Sequence, residues 1–269
     1  MLENGGQCNM ISLITSLCKA EEYLPTYLKK VESFSDLLGK ESVSSEVVII
    51  ANESSVKERR FLEEAKVFNK RMRIFYVSRE SLYASWNRGV ELAKNEIIGF
   101  WNVDDVRYPE AVIDGIRLIG EGTELVYFPF WYLRYIRLLG LRILVKKKLI
   151  LPPPFNRKEF TRSMHCGPFF IFTKSLYKKV GPFDEQFKIA GDFDWCVRAA
   201  KVTEFKLSKE IAGKFIKDGS GLSGRQSNSL QEVENNIIYK RYGSLDKMKK
   251  VDNKLLKRYN LSKIYYQAK

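Results

Sequence analysis

Ile97-Ile98-Gly99-Phe100-Trp101-Asn102-Val103-Asp104-Asp105 is the stretch whose reading decides the fold. A short apolar run rich in β-branched and aromatic residues predicts a buried strand, here over residues 96–101, and two acids directly after it predict a turn at its carboxyl end. Upstream, β-branched runs at 11–15, 46–51 and 72–77 predict three more strands, separated by helical patterns near 21–38, 56–69 and 82–94. The run Val47-Val48-Ile49-Ile50 lacks a polar face, as expected of a parallel strand covered on both sides. Downstream, Pro109 suits the first turn of a helix reaching about residue 119, and residues 125–130 predict a fifth strand. Alternating strands and helices make this an α/β chain with a parallel sheet.

Of the 269 residues, 45% are hydrophobic and 29% charged, which suits one generous globular domain and excludes wholesale disorder. Cys8, Cys18, Cys166 and Cys196 stand far apart with no CxxC pair. That spacing gives neither a zinc ligand set nor a dense disulfide framework, and it fits reduced thiols in a cytoplasmic protein. No secretory leader is legible, and no apolar run approaches the ~20 residues that span a bilayer. The net charge is +14, and it is local. Residues 125–158 hold eight Lys or Arg and no acid, and residues 240–269 hold ten against two acids. Two basic surfaces are therefore expected, not a uniformly basic molecule.

In an open α/β sheet, ligands bind beyond the carboxyl ends of the strands. Three polar clusters fall there: Thr15-Ser16, Asn52-Glu53-Ser54-Ser55 and Asn102-Val103-Asp104-Asp105. Adjacent carboxylates after a buried strand repel each other and call for a countercharge. A hard divalent cation shared with a diphosphate would supply it; capping of the helix at Pro109 is the alternative. Asp192 and Asp194 form a second acidic cluster, readable as a helix N-cap and first turn.

The motifs occur in a recognisable order. Ile11 to Thr15 looks like an opening strand, and Glu46 to Ser55 like a second strand with its nucleotide-binding turn. Ala84-Ser85-Trp86-Asn87-Arg88-Gly89-Val90-Glu91-Leu92-Ala93 is similar to an "ARNxGxxxA" helix, and Phe100 to Asp105 to an "LDxDD" metal turn. Gly181-Pro182-Phe183-Asp184-Glu185 followed by Ala190 to Arg198 resembles "GxFDE…xEDxDLxLR". With these five in order, residues 10–225 resemble the family 2 glycosyltransferases, inverting enzymes of the GT-A fold that use nucleotide-diphospho sugars.

The resemblance implies roles. Asp104, with Asp105 beside it, would hold Mg²⁺ or Mn²⁺ against the donor diphosphate. Asp192 would be the base that takes the proton of the acceptor hydroxyl, ionised at neutral pH without a special pKa. Thr15, Ser16, Asn52, Arg88 and Asn102 would lie around the nucleotide. The chain departs from the family pattern at Asn102 and Asn52, where Asp is usual, and at Gly191, where Glu is common. It also has Lys217-Asp218 where a His often stands. A non-catalytic glycan- or membrane-binding protein on the same scaffold is the competing reading. The single histidine, His165, precedes a strand at a place where the family often has one near its substrates; a structural role is the alternative.

Residues 131–163 read as a basic, aromatic insertion within a domain covering residues 1–230, with residues 231–269 as a basic helical extension. Trp131, Tyr132 and Tyr135 among Arg134, Arg137, Arg142 and Lys146-Lys147-Lys148 have the composition of a bilayer interface. The tail from Lys240, with Leu255, Leu256, Tyr259, Ile264 and Tyr265 between lysines, has the same character. These stretches suggest peripheral contact with the inner, anionic face of the membrane, near a saccharide or lipid-linked saccharide acceptor; a packed lid over the acceptor site is the alternative. No nucleic-acid module is visible, and nucleic acid is not an expected partner.

Overall fold

The computed structural model describes residues 9–138, 141–219 and 227–249. In chain order, β1 (Met10–Leu17), α1 (Leu24–Lys40), β2 (Ser44–Asn52), α2 (Val56–Phe68) and β3 (Met72–Val77) come first. Next are α3 (Leu82–Leu92), β4 (Ile97–Phe100), a short β5 (Val106–Arg107), α4 (Pro109–Gly120) and β6 (Leu125–Tyr127). A long hairpin of β7 (Phe130–Leu138) and β8 (Leu141–Ile150) precedes α5 (Arg157–Phe160), β9 (Ile171–Thr173) and α6 (Lys174–Val180). The chain continues with α7 (Gly191–Val202), β10 (Lys206–Leu207), β11 (Gly213–Lys217) and α8 (Ser227–Arg241), followed by one 3₁₀ turn at Leu245–Lys247.

Seven strands form one sheet in the order β10-β6-β9-β4-β1-β2-β3. β1, β2, β3 and β4 run parallel, while β9 is antiparallel to both its neighbours. Alternate side chains of β2 enter different cores, which is why no polar face was legible. Val48 and Ile50 pack with Trp86 and Val90 of α3, Trp195 of α7 and Ile237 of α8. Val47 and Ile49 pack with Val31 and Leu38 of α1, Leu62 of α2 and Ile116 of α4. The parallel strands are thus buried on both faces between two helical layers, as the α/β reading requires.

α3 lies unusually close to β1. A Cβ on Gly89 would fall 2.3 Å from Ile14 Cγ2, well inside van der Waals contact, so only glycine lets the helix seat there. On the opposite layer, Ser55 caps α2 through the Glu58 amide at 3.1 Å, and Glu58 returns a bond to the Ser55 amide at 2.9 Å. The other oxygen of Glu58 accepts the Ala20 amide at 2.6 Å and so fixes the turn after β1.

Three expectations need correction. The strand expected over 125–130 stops at Tyr127, and Phe130 opens a strand of a second sheet, β5-β11-β7-β8. Pro129, lacking an N–H for the first ladder, marks the crossing, and its carbonyl accepts the Ala212 amide. The segment read as an irregular insertion is largely the β7–β8 hairpin, with one register shift at Arg134/Tyr135. A domain boundary at residue 230 falls inside α8, whose Leu230, Val233, Ile237 and Ile238 belong to the main core. The tail residues Leu255 to Tyr265 lie outside the described residues, as does Cys8. Cys18, Cys166 and Cys196 are unpaired thiols. Among the described residues, no helix is long and apolar enough to cross a membrane.

Two substitutions should move stability in opposite directions. Lys19, exposed in the turn after β1, has φ 51°, a left-handed conformation that costs an L-residue about 1 kcal/mol. Lys19→Gly is expected to raise Tm by about 2–4 °C, whereas Gly89→Ala is expected to destabilise by about 1–3 kcal/mol through overpacking against Ile14. Thermal and urea unfolding of both variants check the signs.

Candidate active site

The turn after β4 is built from inside out. Trp101 is buried against Tyr27 and Phe34 of α1, and its amide extends the β1 ladder by donating to the Ile14 carbonyl at 2.9 Å. Thr15 Oγ1 donates to the Trp101 carbonyl at 2.8 Å and lies 2.5 Å from the Tyr27 hydroxyl. Thr15 is fully buried and its hydroxyl is engaged on both sides, so it supports the turn from below and does not reach a ligand.

Asp105 points the same way. Its two oxygens accept the Ile216 amide at 2.9 Å and the Asn102 side-chain amide at 3.0 Å. Burial, then the neighbouring Asp104, push its carboxyl well above the usual range, against these bonds and the nearby Arg107. Both oxygens being occupied by protein donors, Asp105 anchors the turn to β11, and the sequence assignment of Asp105 as a metal ligand does not fit its position. Asn102 acquires a reason here: a carboxylate at 102 would face that of Asp105 across a hydrogen-bond distance, while the amide donates to it.

Asp104 is the partly exposed member of the pair. Burial lifts its pKa to about 6; Asp218 adds to the rise, and Lys30 and Arg142 oppose it. Asp218, at the end of β11, is nearly buried, accepts the Tyr23 hydroxyl at 2.6 Å and lies 3.5 Å from Arg142 of β8. Lys30 of α1 donates to the Asp105 carbonyl at 3.1 Å. Asp104 and Asp218 thus form an anionic pair ringed by cations from α1 and the hairpin. Sequence reasoning did not place Lys30, Arg142 or Tyr23 at this site, because nothing local separates the first two from the rest of the 46 Lys and Arg, or Tyr23 from the rest of the 14 tyrosines.

At the end of β2, Asn52 is also buried. Its side chain donates to Ser85 Oγ at 2.9 Å and accepts the Glu80 amide at 3.1 Å, tying β2 to α3 and to the loop after β3. Asn52 Nδ2 lies 3.5 Å from Ser16 Oγ, and Ser16 is the partly exposed residue at the end of the neighbouring β1. Arg88 is exposed and paired with Glu80 through both its Nε and terminal nitrogens. It is Arg79, missed in the sequence, that lies across the strand ends, 3.0 Å from Cys18 Sγ and 3.6 Å from Glu53.

The second acidic cluster sits at the start of α7. Asp194 is buried and receives Arg198 at 3.0 Å, Arg241 at 2.7 Å and the Tyr242 hydroxyl at 2.8 Å. Asp192 is half-buried; its Oδ1 accepts the Phe193 amide at 2.8 Å and lies 3.3 Å from the Tyr83 hydroxyl. Burial pushes its pKa up to about 6, against those two bonds, with Glu234 adding to the rise, so the ordinary carboxylate pKa expected from sequence is corrected upward. Two clamps hold this loop. Tyr83 of α3 donates to the Ile189 carbonyl at 2.5 Å, and Glu234 of α8 accepts the amides of Lys188, Ile189 and Ala190 at 2.8, 2.9 and 2.8 Å. A Cβ at Gly191 would fall 2.7 Å from the Tyr83 ring, so the clamp explains glycine where the family often has Glu. Four residues on, Asn87 binds Phe183 and Glu185 through its amide nitrogen at 2.9 Å each, joining the two motifs. His165 packs 4.9 Å from Phe160, its Nε2 buried without a partner and its pKa lowered by burial.

The family model for glycosyl transferase family 2 matches residues 12–181. An uncharacterized glycosyltransferase of Mycobacterium tuberculosis strain H37Rv, Rv1514c, is 28% identical over 145 residues, 52% of this chain and 52% of that protein. Bacillus subtilis EpsH is 25% identical over 116 residues, 43% of this chain and 32% of that one. The chain therefore spans about half or less of these curated relatives. Staphylococcus aureus TarS 1–349 in complex with UDP-GlcNAc superposes with TM-score 0.65 at 15% identity, covering 96% of this chain and 79% of the other. The mannosyltransferase PcManGT from Pyrobaculum calidifontis, in complex with GDP-Man and Mn²⁺, gives TM-score 0.56 at 10% identity, covering 95% and 69%. These likenesses show the GT-A fold. With the family model spanning more than half of its length, the chain belongs to glycosyl transferase family 2.

Proposed function

We propose that the chain is an inverting, metal-assisted glycosyltransferase that moves a sugar from a nucleotide-diphospho-sugar donor to a saccharide or lipid-linked saccharide acceptor. One observation carries this reading. Each acidic motif holds one carboxylate engaged inside the protein, Asp105 and Asp194, and one that stands partly exposed, Asp104 and Asp192. Neither Asp104 nor Asp192 belongs to an ion pair among the described residues.

The donor set around Asp104 fits a hard divalent cation. Asp218 lies close enough to raise the proton affinity of Asp104, a repulsion that a cation relieves. Asp104 would hold Mg²⁺ or Mn²⁺, with Asp218 beside it, and the ion supplies Lewis acidity to the departing diphosphate when bound. TarS with UDP-GlcNAc and PcManGT with GDP-Man and Mn²⁺ support a donor of this class. Lys30 and Arg142 add positive charge beside the same group. On the nucleotide side we assign Ser16, with Arg79 at the strand ends in a loose pair with Glu53, in place of the buried Thr15 and Asn52 and of Arg88, which Glu80 holds through both Nε and a terminal nitrogen.

Asp192 accepts the proton of the acceptor hydroxyl as its oxygen attacks the anomeric carbon. The bond from that carbon to the diphosphate oxygen breaks on the opposite face, and the nucleoside diphosphate leaves with the electron pair. A base with a pKa near 6 is ionised at neutral pH and stronger than an ordinary Asp. Tyr83 and Glu234 act as positioning residues, because they hold the loop and not the substrate.

Asp192→Asn is expected to lower transfer by about 10²–10⁴-fold with Tm unchanged or slightly raised, since it removes a partly desolvated charge. Wild-type turnover in that variant, measured by nucleoside diphosphate release with a matched donor, would overturn the base assignment and favour a non-catalytic scaffold.

The pH dependence follows from the same raised pKa. In metal-saturated enzyme kcat/KM should climb with pH through about 6 and level off above it. Stability runs the other way: a folded-state pKa above the unfolded one makes the Asp192 contribution fall as pH rises from about 4 to about 6. Asp192→Asn should remove the rise in kcat/KM and weaken the fall in stability, to which Asp104 also contributes.

Asp104→Asn is expected to reduce the Tm increase that Mn²⁺ plus a nucleoside diphosphate gives the wild type, while Asp105→Asn should lower the Tm of the apo protein. An Mn²⁺ response that survives in Asp104→Asn would move the metal elsewhere.

A further inference from the structure

The β7–β8 hairpin has two chemically different faces, set by its register. Arg137/Arg142, Tyr135/Leu144, Leu133/Lys147 and Trp131/Leu149 share one face. That face turns toward the protein: Arg137 pairs with Glu22, Arg142 with Asp218, and Lys147 lies 4.7 Å over the Trp131 ring. The other face carries Leu138/Leu141 and Ile136/Ile143 near the tip, then Arg134/Lys146 and Tyr132/Lys148. The register shift at Arg134/Tyr135 produces this order, because the unpaired Val145 returns Lys146 and Lys148 to the face of the apolar tip.

Toward the tip this face is exposed: Leu138 is 55%, Leu141 68% and Ile143 39% accessible, whereas at the base Phe130, Tyr132 and Ile150 of the same face pack into the core. Leucine and isoleucine paired across an exposed hairpin are ordinarily covered by a partner. Behind them the charge is of one sign. Arg134 stands beside Lys146 on the two strands, and Lys148 follows two residues on. Like charges side by side on a sheet repel, and no acid lies on this face of β7 or β8. An apolar edge backed by a band of cations complements a surface whose interior is hydrocarbon and whose rim is anionic phosphate. A nucleic acid would match the cations and leave the leucines in water; a second copy of this chain would bring the same positive band against itself.

We propose that the outward face of the β7–β8 hairpin docks the protein on an anionic lipid bilayer, with Leu138, Leu141, Ile136 and Ile143 entering the interface and Arg134, Lys146 and Lys148 meeting the lipid phosphates. The inference is independent of the catalytic reading.

The test is co-flotation of the full chain with vesicles of phosphatidylcholine alone or mixed with phosphatidylglycerol, at about 0.05 M salt, where screening is weak. The wild type is expected to float with the anionic vesicles only, and to be released as salt is raised. Lys146→Gln/Lys148→Gln should weaken the partition by roughly thirtyfold, and Leu138→Ser/Leu141→Ser should abolish it with unchanged circular dichroism and Tm. Lys40→Gln/Lys70→Gln, exposed lysines distant from the hairpin, should float like the wild type. The proposal is overturned if the wild type does not float, or if the hairpin variants float as it does. It is equally overturned if the Lys40/Lys70 variant loses as much, or if single-stranded DNA or self-association takes the face while vesicles do not.

Discussion

Two neighbouring carboxylates cannot both be desolvated and charged without a partner, and the structure around the sheet edge follows from how that conflict is resolved. In each acidic motif the more buried acid receives its partners from a distant part of the chain. Asp105 takes the Ile216 amide and faces Arg107, which draws the second sheet against the turn after β4. Asp194 takes Arg198, Arg241 and Tyr242, which draws the end of α8 onto α7. The acid left partly exposed beside each is then supported by a scaffold that reaches across the whole fold.

Much of the first half was legible in the sequence, because buried parallel strands show as uninterrupted apolar runs and their ends as polar clusters. β3 was bounded correctly at both ends, and β2 and α2 within two residues. The hairpin was harder: β7 and β8 have one solvent face that mixes leucine, isoleucine and lysine, so neither alternation nor a continuous apolar run appears. The C-terminal helix was legible as a helix, but not as part of the core. Its apolar residues Val233 and Ile237 look like those of any amphipathic helix, and the buried Glu234 between them gives no sequence hint of three backbone amides elsewhere.

At the site, motif order identified Asp104 and Asp192, while burial separated them from the residues beside them. Thr15 and Asn52 sit at the right strand ends with their side chains turned inward, a distinction that no spacing rule makes. The departures from the family pattern are local packing solutions. Asn102 donates to a buried carboxylate, and Gly191 leaves room for the Tyr83 ring. Each of these two residues has a compensating neighbour, so neither departure leaves a local conflict in the packing.

The three amides gripped by Glu234 have a temporal consequence. Helix α8 is the last long element of the described chain to leave the ribosome, while the sheet and α7 are complete well before it. Until it docks, residues 188–190 lack their acceptor, and the loop before α7 has only Tyr83 to shape it. The carboxyl-terminal helix therefore completes two things at once, the core layer that Val233 and Ile237 enter and the loop that leads to Asp192.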